Sequence, residues 1–164
     1  MANPTSGPGL SLQIKRTFQA PREKVWAAWT ERKGLEQWMC RDVPTHDPKY
    51  TELDVRPGGR YAIEIQQPDG VIYRGSGTFR EVKPPEKLVF TWAWTRTPES
   101  APENAKDPMQ KTDTLVTVQL FARGNATEMV FTHEGFDSEV TRESHNKGWT
   151  GCFEKLTEHL KARA

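Results

Sequence analysis

Met129-Val130-Phe131-Thr132-His133-Glu134-Gly135-Phe136-Asp137-Ser138-Glu139 is where the chain changes period, and its reading decides the fold. Up to His133 the pattern alternates, with Met129, Phe131 and His133 on one face of a strand. Asp137 or Ser138 can then cap a helix. Beyond them the spacing becomes helical, and His145, Trp149, Cys152, Phe153, Leu156 and Leu160 form one stripe running to about Lys161. Gly148 costs that helix about 1 kcal/mol relative to alanine, which predicts a close approach at its backbone. A helix with one apolar stripe must bury it against the sheet that precedes it.

Working backward, Gly124-Asn125 is a turn, and Thr114, Val116, Val118 and Leu120 share a strand face before it. Leu88, Phe90, Trp92 and Trp94 share another, entered through Pro84-Pro85. A strand over Val71 to Val82 carries Gly75 and Gly77 on one face, a sign of bending or of a neighbouring backbone. Pro68-Asp69-Gly70 closes a hairpin with the alternating Tyr61, Ile63 and Ile65. Pro57-Gly58-Gly59 before them reads as a type II turn. At the start, Leu10 to Phe18 alternates as a strand. Pro21 then opens a short helix with Val25, Ala28 and Trp29 on one side. Thr30 is placed to cap a second helix bearing Leu35, Trp38 and Met39.

The order is strand, two short helices, about six meandering strands and one long helix. Hairpin-length turns make the sheet antiparallel. The expected class is α+β, a curved antiparallel sheet wrapped around a long C-terminal α-helix. Residues 1–9 are small and polar, an expected flexible segment, and 10–164 form one domain. Thr97 to Gln110 is proline-rich and long for a connection, so it reads as a loop: a lid, a partner-contact arm or a plain excursion.

Charge narrows the function. Lys+Arg 23 against Asp+Glu 22 gives a net charge of +1, and the signs are interspersed. Such a balance makes no electrostatic case for nucleic acid or an anionic membrane surface. No apolar run of about 18 residues exists for a membrane helix, and the N-terminal residues lack the pattern of a signal peptide. The expected location is therefore cytoplasmic, with Cys40 and Cys152 as buried, reduced thiols.

Motifs for reactive chemistry are sparse. Gly75-Ser76-Gly77 has no third glycine and precedes no helix, so it is not a dinucleotide loop. The histidines His46, His133, His145 and His159 show no zinc spacing, and Cys40, Asp42, His46 and Asp47 read as a polar loop. No metal and no cofactor is expected. His133 and His145 both fall on inward faces, where each is either a satisfied core histidine or a polar anchor and general base. Six tryptophans, seven phenylalanines and three tyrosines make either a heavy core or an aromatic-lined pocket.

Several segments resemble one family. Phe18-Gln19-Ala20-Pro21-Arg22-Glu23-Lys24-Val25-Trp26 is similar to the opening motif of the activator of heat-shock-protein-90 ATPase homologue family. That family lies within the START-like (SRPBCC, Bet v-like) superfamily of helix-grip folds. Asp54-Val55-Arg56-Pro57-Gly58-Gly59 resembles its hairpin. Further likenesses follow at Gly77 through Val82, Leu88-Val89-Phe90-Thr91-Trp92, Thr132-His133-Glu134-Gly135 and Gly148-Trp149. The resemblance spans roughly Leu12 to Leu160. It implies a helix-grip fold and a hydrophobic cavity between sheet and last helix. Members bind lipids, hormones or polyketides, cyclise polyketides, or dock on a chaperone in the stress response.

Fold analogy alone does not choose among these. The leading expectation is a non-enzymatic protein that holds a small hydrophobic molecule. Its candidate ligand-binding residues are Trp38, Tyr61, Phe90, Trp92, Phe131, His133, His145, Trp149 and Phe153. A chaperone-docking module and a cyclase or hydrolase using a pocket histidine are the alternatives. Val71, Ile72 and Val89, on strand faces turned from the helix, leave a homodimer open.

Overall fold

The structure, a computed structural model, describes residues 10–41, 48–66, 70, 72–96 and 114–162. The expected N-terminal segment 1–9, the 97–110 loop, Val71, Pro68-Asp69 and the Asp42, His46 and Asp47 loop all lie outside the described residues.

Seven strands and three helices run in the order β1 (Leu10–Phe18), α1 (Arg22–Thr30), α2 (Arg32–Trp38), β2 (Lys49–Leu53), β3 (Arg60–Gln66), β4 (Ile72–Lys83), β5 (Lys87–Arg96), β6 (Thr114–Arg123), β7 (Ala126–Phe136) and α3 (Glu139–Ala162). They form one antiparallel sheet ordered β1-β7-β6-β5-β4-β3-β2. This is the helix-grip arrangement. Because the meander β2 to β7 is sequential and β1 pairs with β7, the chain's first strand closes against its last.

Local chemistry explains the corners. Gly58 has φ +87°, and the N–H of Gly59 donates to the Arg56 carbonyl at 2.8 Å, as the type II turn requires. The two-residue turn at Gly124-Asn125 pairs Arg123 with Ala126. The Ser138 hydroxyl accepts the Thr141 N–H at 3.1 Å and so caps α3. Two helix starts differ from expectation. Pro21 is the N-cap of α1, not its first residue. Thr30 does not cap α2, because its hydroxyl donates back to the Trp26 carbonyl at 2.8 Å and leaves Glu31 as an uncapped start. A threonine in a last helical turn finds the carbonyl four residues earlier closer than any later N–H.

The core lies on the concave side of the sheet. Helix α3 packs against β1, β7, α1 and α2, while α1 reaches β6 and β7, and α2 reaches β2. The short helices thus share with α3 the work of covering the sheet. Trp149, Cys152, Phe153, Leu156 and Leu160 are buried as the stripe predicts, and Phe131, Met129 and Val116 are fully buried opposite. The outer face carries cross-strand ion pairs such as Arg74–Glu64 at 3.5 Å. Val89, expected on that outer face, is only 9% exposed. It stands in register between Glu81 and Thr117, away from the sheet edges, so it adds little to an outward apolar face.

Candidate functional site

The concave side divides into two aromatic regions that meet at Trp29. In the first, rings from β5, β7 and α3 pack on one another. Phe131 lies 4.6 Å from Trp149 and 5.0 Å from Phe153, centroid to centroid, and Trp92 lies 5.1 Å from Trp149. Offset and edge-on pairs at such distances contribute about 0.5–1.5 kcal/mol each beyond their burial. Trp38 joins from α2 at 6.0 Å from Phe153 and donates its Nε1–H to the Ala28 carbonyl at 2.9 Å. It therefore ties α2 to α1 and α3 and does not stand at a cavity mouth.

His133 sits among these rings with no exposed surface. Trp149 Nε1–H is a donor and lies 3.0 Å from His133 Nδ1, so Nδ1 accepts. The single proton of the neutral ring is then on Nε2, 2.6 Å from Thr114 Oγ1. Thr114 in turn donates to the Trp92 carbonyl at 2.9 Å. Both ring nitrogens are used, and Thr114 Oγ1 both accepts and donates. Burial, with His145 adding, holds His133 well below its ordinary pKa of 6.5. Such a histidine has no lone pair to offer as a general base.

His145 is 5.3 Å away, centroid to centroid, and half-buried against Phe136 at 5.0 Å. Its Nδ1–H donates to the Thr141 carbonyl at 2.9 Å, which leaves its Nε2 lone pair for another donor. Burial lowers its pKa more strongly than this hydrogen bond raises it.

The second region lies between α1, α2 and strands β2 to β5. Here Trp29, Met39, Tyr50, Tyr61, Phe90 and Trp92 are among the residues around a void of about 10 Å³, room for roughly one water. Tyr61 donates its hydroxyl to the Thr91 carbonyl at 2.5 Å. Trp29 is 2% exposed, yet its Nε1–H has no hydrogen-bond partner among the described residues. An unpaired buried donor costs about 1–3 kcal/mol.

The expected site residues therefore separate. Tyr61, Phe90 and Trp92 border the void, whereas Phe131, His133, Trp149, Phe153 and Trp38 are brought together as packed core, with His145 at its edge. Trp29, Met39 and Tyr50 were missing from the sequence-based set. The spacing of Val25, Ala28 and Trp29 marks only a buried helix face. Nothing in it says that Trp29 would touch Trp38, Phe90, Phe131 and Trp149 at once. Among the described residues no cluster of three metal-ligating side chains occurs, and no helix is long and apolar enough to cross a membrane.

No curated protein matches the chain. Solved structures do. A protein from Arthrobacter aurescens is 26% identical, with 93% of this chain and 87% of that one covered and a TM-score of 0.77. The AHSA1 protein of Silicibacter pomeroyi is 22% identical over 94% and 100%, at a TM-score of 0.74. A protein from Rhizobium leguminosarum is 20% identical over 94% and 96%, at 0.75. The last two likenesses speak to fold alone. The family model described as Activator of Hsp90 ATPase homolog 1-like protein matches residues 19–161, and the chain belongs to that family.

Proposed function

We propose that the protein binds a small, mostly apolar molecule between α1, α2 and strands β2 to β5, with one acceptor atom of the ligand on Trp29 Nε1–H. The observation that carries this reading is the pairing of an aromatic-walled void with a buried donor that has no partner among the described residues. Apolar walls with few convergent polar groups are the usual make-up of small-molecule sites. The void is smaller than any such ligand, so entry displaces wall side chains. Leu35 belongs to the short helix α2 and Met39 is the residue that ends it, and methionine repacks easily.

Native mass spectrometry of freshly purified protein, before and after organic extraction, tests the reading. An extra mass released by extraction, and absent when Leu53→Phe fills the void, is the expected result. The same extra mass in Leu53→Phe would place the ligand elsewhere.

The family's description favours a second reading, docking on an Hsp90-class chaperone. Retention of that chaperone by the immobilised protein at low salt, with stimulation of its ATPase, would support it. Failure of both would leave small-molecule binding as the working function.

A further inference from the structure

Cys40 and Cys152, 112 positions apart in sequence, meet where α2 ends against α3. The Cys40 N–H donates to Cys152 Sγ at 3.2 Å. Neither cysteine is in a disulfide, and both are buried, at 7% and 4% exposure. An N–H points about 120° from its N–Cα bond, which places the Cys40 Cα about 4 Å from that sulfur. A cysteine sulfur reaches about 2.8 Å from its own Cα, so the two Cα atoms are at most about 7 Å apart. Disulfides bridge Cα atoms roughly 4.4–6.8 Å apart. The backbone thus brings the pair within or at the edge of bonding range as folded.

Two further observations mark this place. Cys40 has φ 61°, a left-handed conformation that a residue with a Cβ adopts only where its surroundings enforce it. Tyr50 is the second. Its N–H donates to Glu36 Oε2 at 2.8 Å, and its phenol is pushed well above 10 by burial first, then by Cys40, Cys152 and Glu36. Both thiols therefore lie within electrostatic reach of one buried phenol.

We infer that Cys40 and Cys152 form a site of reversible oxidative modification, closing to an intramolecular disulfide when the oxidant is a peroxide. One sulfur takes an oxygen atom from hydrogen peroxide and becomes a sulfenic acid, with release of one water. The second thiol attacks that sulfur, its proton leaves with the hydroxyl as a second water, and the S–S bond forms. The two sulfurs lose two electrons and the peroxide gains them. A small dithiol reverses the change by thiol–disulfide exchange. The bond would staple the end of α2 to α3.

The test is intact mass under non-denaturing, non-reducing conditions after hydrogen peroxide treatment of the full chain. The expected result is a loss of about 2 Da, a cross-linked peptide joining Cys40 to Cys152, and restoration by dithiothreitol. Cys152→Ser, checked for an unchanged circular dichroism spectrum, should instead gain about 16 Da on Cys40 as its sulfenic acid. If Cys152→Ser does not fold, Cys40→Ser gives the mirror-image readout on Cys152. The inference is overturned by oxygen added to each thiol without a cross-link. Disulfides between chains, or no change at either thiol while the urea-unfolded protein reacts, would overturn it equally.

Discussion

The two aromatic regions that share Trp29 are built from the same kinds of residue and end in opposite states. Around His133 the polar atoms form a closed relay: Trp149 to Nδ1, Nε2–H to Thr114, and Thr114 to a carbonyl. Around Tyr61 and Phe90 a void persists, and the Trp29 N–H has no partner among the described residues. Aromatic content does not distinguish a core from a pocket. What does is whether each buried donor meets an acceptor and whether ring shapes tile the space.

The strongest way to break this contrast is Trp149→Ala. It empties a packed position and strips His133 Nδ1 of its donor, so urea unfolding should show a loss of about 3–5 kcal/mol. A loss under about 1 kcal/mol would mean that the region is not packed as described. Gly77→Ala comes next, on β4 in register with Tyr61. An added Cβ would lie 2.0 Å from the Thr91 carbonyl oxygen, which Tyr61 already binds. Backbone movement there should cost roughly 1–3 kcal/mol or more by the same measurement, and a neutral result would disprove the close approach.

Thr114→Val removes the acceptor of His133 Nε2–H and should cost about 1–3 kcal/mol. Stability against pH probes the same relay. His133 and His145 have folded pKa values below 6.5, so the unfolded chain takes up protons first as the pH falls. Stability is full above about 6.5 and declines as the pH drops from there towards the lowered folded values. A flat profile from pH 7 to pH 5, monitored as the urea midpoint, would show that neither ring is held neutral.

The smallest effect is expected at the void. Trp29→Phe removes a donor that has no partner among the described residues, so relief of its desolvation cost partly offsets the loss from the smaller ring. Stability should fall by about 1–2 kcal/mol, less than in Trp149→Ala. Affinity for a ligand recovered by extraction should drop roughly tenfold, the equivalent of one hydrogen bond. An unchanged affinity would detach Trp29 from the ligand.

Much of this architecture was legible in the chain itself. Period-two runs marked β3 to β7, Gly58 and Gly124 supplied turns of known type, and the stripe from Trp149 to Leu160 set the face of α3. These are properties of neighbouring residues, and backbone geometry translates them directly. The Thr30 cap differs because one hydroxyl can either donate to an earlier carbonyl or accept a later N–H, and only local distances decide between them.

The site was less legible. Sequence alone placed His133 and Trp149 on inward faces, and it equally placed Tyr61 and Phe90 there. That His133 would be closed by Thr114, that Trp29 would be left with an unsatisfied N–H, and that Cys40 would touch Cys152 were decided by the tertiary structure. Each depends on sub-ångström placement of groups far apart in the chain. A hydrogen bond exists or fails within a few tenths of an ångström, a distance no residue spacing encodes.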